Sequence, residues 1–289
     1  MTDAHCHPWD LLEFLENPEG VRRETKTACV ANSWNREQFD FHEDLAKKAL
    51  EDRAPRIICP FALHPQLSAA YAKGHSKNPD FQTDDVPSLS SGLELLFSLG
   101  GQGRLNAVGE TGFDLYDETF KAGEKIQDEM FICHLETALK QGLPLILHVR
   151  RAMHKIFPFT RELKKLPAVI FHSWPGTLSD GEALLRRGIN TFFSLNAIVL
   201  LNHRKAMTCA ALFPPERILL ETDAPFQPLR GNSFSSWRDL GQICGGIASL
   251  RKEAGSLCNT PEEVEEQTTA NFYGIFAFQS TTPPQGAGY

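Results

Sequence analysis

The chain has 289 residues, 42% hydrophobic and 22% charged, and carries a formal net charge of −7. That is enough chain to bury a sizeable core. It is too acidic for broad, non-specific clamping of nucleic acid, which needs a basic surface; a small basic patch around one pocket is still compatible. No run of about 20 apolar residues suggests a membrane span, and Met1-Thr2-Asp3-Ala4 lacks the basic and apolar regions of a signal peptide. The seven cysteines are odd in number and never spaced C-x-x-C, a pattern that fits reduced, buried thiols and a cytoplasmic location.

In chain order, Asp3-Ala4-His5-Cys6-His7 reads as a short first strand. Residues two apart on a strand face the same way, so His5 and His7 aim at one point and Cys6 faces away. Residues 26–32 read as strand two and 35–54 as a helix with Phe39, Leu45, Ala46, Ala49 and Leu50 at helical spacing. Strand three covers 56–63 and ends at His64-Pro65. Residues 78–92, rich in Pro, Asp, Ser and Thr, read as a surface insertion. A helix over 93–99 precedes strand four at 105–109, which ends in Glu110-Thr111-Gly112. Residues 125–141 form the clearest helix, closed by Gly142. Strand five (145–149) contains His148. A helix over 152–166 should be kinked or divided by Pro158. Strand six (168–171) leads to His172-Ser173-Trp174, and a helix follows over 179–187. Strand seven is 191–195, and strand eight, 217–221, leads to Thr222-Asp223. A long helix fits 236–254, and Thr260-Pro261-Glu262-Glu263 opens another, with Thr as N-cap and Pro at the first helical position. From residue 279 the tail is rich in Pro, Gly, Ser and Thr.

Eight strands alternating with helices predict an α/β fold, a single-domain (β/α)8 TIM barrel over 1–278 with a flexible tail at 279–289. A doubly wound sheet is the alternative, but no G-x-G-x-x-G follows a predicted strand. In a barrel all strand ends converge on one face, where barrel active sites lie. His5, His7, Glu110, His148, His172 and Asp223 all stand at such ends. Four imidazoles and two carboxylates suit one or two divalent cations. Carboxylates following apolar strands are costly to desolvate without a partner, and a cation is a natural one.

These pieces carry a resemblance. Asp3-Ala4-His5-Cys6-His7, Leu63-His64-Pro65, Gly109-Glu110-Thr111-Gly112-Phe113-Asp114, Leu147-His148-Val149-Arg150, His172-Ser173-Trp174-Pro175-Gly176 and Glu221-Thr222-Asp223-Ala224-Pro225 resemble the motifs of the TatD family of metal-dependent deoxyribonucleases, within the amidohydrolase superfamily. Gln127 with Phe131 matches the family's Q-x-x-x-F, and Asn271-Phe272 its C-terminal asparagine motif. The resemblance implies that His5, His7, Glu110, His148, His172 and Asp223 are metal ligands, with Glu110 bridging two ions, and that His64 and Arg150 lie near the substrate phosphate. The chain departs from the family pattern in the longer insertion, in Trp174 where Phe is common, and in Ser194-Leu195-Asn196-Ala197 at the end of strand seven.

The expected chemistry is hydrolysis of phosphodiester bonds in DNA, as single strands or strand ends, by an exonuclease using one or two divalent ions (Zn2+, Mg2+ or Mn2+) to activate water. Asp223 is expected to act as general base, with Glu110 as the other catalytic carboxylate. His64 and Arg150 would hold phosphate oxygens, and Trp174 would stack on a terminal base. Two alternatives stay open: a hydrolase of a small amide, lactone or phosphotriester, and a non-catalytic metal-binding scaffold. A neutral substrate would not need the His64/Arg150 pair.

Overall fold

A computed structural model describes residues 1–72 and 86–276. Most of the predicted insertion, and the whole predicted tail from residue 279, lie outside the described residues. The strands are β1 (Thr2–Cys6), β2 (Ala28–Ala31), β3 (Ile57–Ile58), β4 (Val108–Asp114), β5 (Leu145–Arg150), β6 (Val169–Phe171), β7 (Thr191–Leu195) and β8 (Ile218–Leu220). The helices that join them are α1 (Pro18–Glu24), α2 (Arg36–Glu51), α3 (Leu67–Ala72), α4 (Leu89–Gly101), α5 (Glu118–Lys121), α6 (Glu124–Gln141), α7 (Met153–Ile156), α8 (Thr160–Leu163), α9 (Leu178–Arg186) and α10 (Arg204–Leu212). After β8 come α11 (Leu240–Glu253) and α12 (Pro261–Phe276).

All strand pairs are parallel, in two sheets ordered β1-β2-β3 and β4-β5-β6-β7-β8. The sheets are not one continuous ladder, and other contacts link them into a barrel-like ring. Phe61 bridges Val108, and the Gly109 amide donates to the Phe61 carbonyl at 3.3 Å. On the other side the Asp223 amide donates to the His5 carbonyl at 2.9 Å, and the His7 amide to the Ala224 carbonyl at 2.7 Å. The buried Asp3 carboxylate tightens this seam by accepting from the Thr222 amide at 3.0 Å and its hydroxyl at 2.6 Å. Burial pushes the Asp3 carboxyl up to about 7, against the lowering effect of those Thr222 bonds.

The period of two along each strand sorts side chains into two cores. Ile146, Ile170, Phe192 and Leu219 pack with Phe272 and Phe276 of α12, which plug the ring from below. Their neighbours Leu145, Leu147, Val169, Phe171, Phe193 and Leu220 pack outward in the larger core with the helices. Two residues beyond Ile146, Ile170 and Leu219 come His148, His172 and Glu221. The same alternation that fills the floor therefore lifts these polar groups to the upper end. Asn271 fastens α12 by donating to the Pro215 and Ile218 carbonyls, both at 2.8 Å.

Several boundaries differ from those read in the sequence. Strand four does not end at Gly109; it runs to Asp114. Its glycines look like turn signals but answer to close packing: a Cβ on Gly112 (φ +133°) would lie 2.2 Å from the His148 carbonyl oxygen. The last residues of the predicted insertion, from Leu89, are the first turn of α4, capped by Ser88. Helix α10 has no large apolar band to announce it; its buried face is Ala206, Cys209, Ala210 and Ala211. Pro158 divides its helix as expected, standing in a 3-10 turn between α7 and α8. All seven cysteines are free. Cys6 does face away from the histidine pair, its thiol donating to the Val30 carbonyl at 3.3 Å. Among the described residues, no helix is long and apolar enough to cross a membrane.

Candidate metal centre

The upper end of the ring gathers the predicted ligands around one carboxylate. Glu110 is buried, and its two oxygens serve separate imidazoles. Oε1 lies 2.7 Å from His148 Nδ1, 3.0 Å from His64 Nε2 and 3.1 Å from His172 Nε2. Oε2 lies 2.9 Å from His5 Nε2 and 3.9 Å from His7 Nε2. Asp223 closes the second group, with Oδ1 3.5 Å from His7 Nε2 and 3.7 Å from His5 Nε2.

Among the described residues, three clusters have ligand atoms close enough for one cation: His5, His7 and Glu110; His64, Glu110 and His148; and His5, His172 and Glu221. The first two share Glu110, an arrangement that suits a carboxylate bridging two ions. His64, expected beside the phosphate, thus also stands within ligand distance of Glu110. The donor set itself asks for cations. His5 Nδ1 is buried without a hydrogen-bond partner, a costly state for a polar group. His148 Nδ1 and His172 Nε2 approach to 3.2 Å while both face Glu110 Oε1. Neutral nitrogen and carboxylate ligands of this kind suit divalent first-row metals.

The electrostatics agree. Burial pushes the Glu110 carboxyl up, but His172, His5, His64 and His148 together hold it well below the usual carboxylate range. Burial acts likewise on Asp223, and is outweighed by the His7 bond and by His172 and His5. Both carboxylates are therefore ionised near neutrality. Asp223 takes a left-handed φ of 57°, uncommon and strained for a residue with a side chain. Its amide bond to His5 and its carbonyl bond from the Phe226 amide at 2.7 Å hold it there.

A ring of further residues orients these groups. The His148 ring is gripped on its other side, Nε2 lying 3.1 Å from Asp114 Oδ2. Asp114 also accepts from Arg150 at 3.2 Å and from Gln66 at 2.8 Å. Gln227 donates from its amide to Asp223 Oδ2 at 2.8 Å and to Ser173 Oγ at 3.0 Å. Buried Glu221 accepts from the Ser173 amide at 2.6 Å and from Asn196 at 3.1 Å, and sits 3.6 Å from His172 Nδ1. The sequence reading assigned no role to Asp114, Glu221 or Gln227. Asp114 had a signal: it is four residues beyond Glu110, on the same strand face once β4 is given its full length.

Above the ligands opens a cavity of about 1010 Å³. Arg150, Arg151, Lys205 and His203 line it, a local basic wall on an acidic chain. The Arg150 guanidinium lies over the Tyr116 ring at 4.1 Å and Arg151 over the same ring at 4.5 Å. Trp174 borders the cavity, but the stacking role expected of it does not fit its surroundings. It is 6% exposed, packed against Phe171, Phe193 and Phe213, and so contributes to the core rather than offering an open face.

A family model described as TatD related DNase matches residues 2–277. The 3′-5′ ssDNA/RNA exonuclease TatD of Escherichia fergusonii is 29% identical over 136 residues, 46% of this chain and 51% of the relative, so the match spans about half of that protein's length. The protein of the same description from Cronobacter sakazakii is 30% identical over 193 residues, 63% of this chain and 68% of the relative. A protein of Buchnera aphidicola described as an uncharacterized metal-dependent hydrolase is 27% identical over 294 aligned positions, covering 97% of each chain. Among solved structures, the TatD homolog YjjV of Escherichia coli superposes with a TM-score of 0.76 at 22% identity, covering 96% of this chain and 98% of that one. An amidohydrolase of Saccharomyces cerevisiae gives 0.72 at 16% identity, covering 95% and 99%. At these identities the structural likeness speaks for the fold.

Proposed function

The chain belongs to the TatD-related DNase family of metal-dependent hydrolases, and from that premise we propose that it is an exonuclease that removes nucleotides from single-stranded ends of DNA. The observation that carries this reading is the division of Glu110 between two imidazole groups on the floor of a cavity walled by Arg150, Arg151 and Lys205. His5, His7, Asp223 and Glu110 would hold one divalent cation, and His64, His148, His172 and Glu110 a second. Bound there, such cations supply an acidified water and a Lewis acid for a phosphoryl oxygen.

The chain's own residues do the rest. Ionised Asp223 orients the attacking water and accepts its proton, with Gln227 fixing the angle of its carboxylate. Arg150, held by Asp114 and Tyr116, meets phosphate oxygens with paired donors. A neutral amide or lactone would leave this cation without work, which favours a phosphodiester over the other substrates open to such a site. The relatives named as 3′-5′ ssDNA/RNA exonucleases suggest attack at the 3′ end.

Digestion of 5′- and 3′-labelled single-stranded DNA by chelator-treated protein, with Mg2+, Mn2+ or Zn2+ restored, tests this. The expected result is metal-dependent stepwise shortening from the 3′ end, abolished in His148→Ala and Asp223→Ala. Turnover of a lactone or amide panel, with no cleavage of the oligonucleotides, would overturn it.

A further inference from the structure

We infer that Phe226 is a stacking plate for a nucleobase beside the scissile phosphate, an inference that rests on the nuclease reading above. Among the described residues, four Phe, Tyr or Trp side chains line the cavity: Trp34, Tyr116, Trp174 and Phe226. Trp174 is packed into the core, and the Tyr116 ring is covered by the guanidinium groups of Arg150 and Arg151. Phe226 differs from both. It is 50% exposed, and its one ring contact among the described residues is His7, at 5.3 Å and 75°. So nearly perpendicular a contact covers at most one face of the phenyl, and half of the residue's surface is exposed.

The backbone that carries the ring is also held in place. The Phe226 amide donates to the Asp223 carbonyl at 2.7 Å, and the Ser235 hydroxyl donates to the Phe226 carbonyl. The Ser235 amide fastens the same turn to the Pro225 carbonyl at 2.9 Å. Phe226 is thus fixed to the backbone of the general base and borders a metal-ligating imidazole. A half-exposed phenyl costs hydrophobic free energy; here its backbone is anchored at the mouth of a cavity whose floor would bind phosphate. A ligand that places a phosphodiester at Glu110 and a flat apolar group one short span away is a nucleotide. Stacking tolerates every base, so the plate would add affinity and register without sequence preference.

The test compares single-stranded oligonucleotides carrying either a normal nucleotide or an abasic tetrahydrofuran residue at each of the two positions flanking the scissile phosphate. The readout is the ratio of kcat/KM for the base-bearing over the abasic substrate. In the wild type this ratio is expected to be about 5- to 100-fold at one of the two positions. Phe226→Leu and Phe226→Ala should bring it towards unity, while Phe226→Trp retains it. Oligonucleotide cleavage with no base discrimination in the wild type would overturn the plate and leave the nuclease reading standing. So would a ratio unchanged in Phe226→Leu. If metal-loaded wild type cleaves neither substrate, the nuclease reading falls and the plate with it.

Discussion

Asp223 presents its two carboxylate oxygens to different partners, Oδ1 to the imidazoles of His5 and His7 and Oδ2 to the Gln227 amide. Gln227→Leu removes a hydrogen bond to a charged group, an interaction worth about 1.5–3 kcal/mol. It is expected to lower kcat about tenfold or more while KM stays within about twofold, since Gln227 acts through Asp223 rather than on bound substrate. Steady-state kinetics on a labelled oligonucleotide reads the split. A second residue makes a stability prediction. Buried His42 accepts from the Trp9 amide at 3.2 Å and pairs with the Ser33 hydroxyl at 2.7 Å. Burial, helped by the charge of His7, pushes its imidazole down to about 3. The unfolded chain binds that proton near pH 6.5 and the folded chain does not. The stabilisation is therefore complete above about pH 6.5 and is lost as the pH falls towards 3. Between about pH 7.5 and pH 5 the loss from this residue amounts to about 2 kcal/mol. Urea unfolding at the two pH values should show a shallower drop for His42→Asn than for the wild type. The six strand-end residues proposed as ligands were legible as a group because their residue types are those of metal sites and the barrel brings strand ends together. Gln227 was not, because an amide that orients a carboxylate has no spacing rule of its own, and Asp114 was hidden because the strand that carries it was read too short.

At the scale of elements, β4 matters most, because Glu110 and Asp114 stand on it and flank the same His148 ring. The strand can lie this close to β5 only because Gly112 has no side chain. Gly112→Ala is expected to destabilise the fold by about 2–4 kcal/mol and, where folded protein is recovered, to depress activity further, since β5 must retreat and carry His148 with it. Denaturant melts and specific activity per folded molecule separate the two effects. The same glycine made the strand hard to read: Gly109 and Gly112 bracket Glu110 like turn residues, so the sequence reading stopped the strand at Gly109. Long helices with apolar bands, α2 and α6 above all, were plain from periodicity. Helix α10 was missed because its buried side chains are mostly alanines, which give little contrast with its exposed face. For β4 the missing information was how closely two backbones approach, which only tertiary contact defines.

The whole molecule combines an overall negative charge with a basic wall at one cavity. That wall comes from Arg150 at the end of β5, Arg151 just after it and Lys205 in α10, separate segments whose convergence no charge count reveals. The combination suits engagement of a short strand end and disfavours wrapping of a long duplex. On the proposed function, catalysis depends on cations held by the groups that Glu110 divides. Restoring Mn2+ stepwise to chelator-treated protein, while following both thermal stability and cleavage of end-labelled single-stranded DNA, tests it most directly. The account predicts that Tm and cleavage rise together and saturate near two equivalents per chain, and that Glu110→Gln loses both responses. Full cleavage by metal-free protein, or an unaltered response in Glu110→Gln, would contradict it.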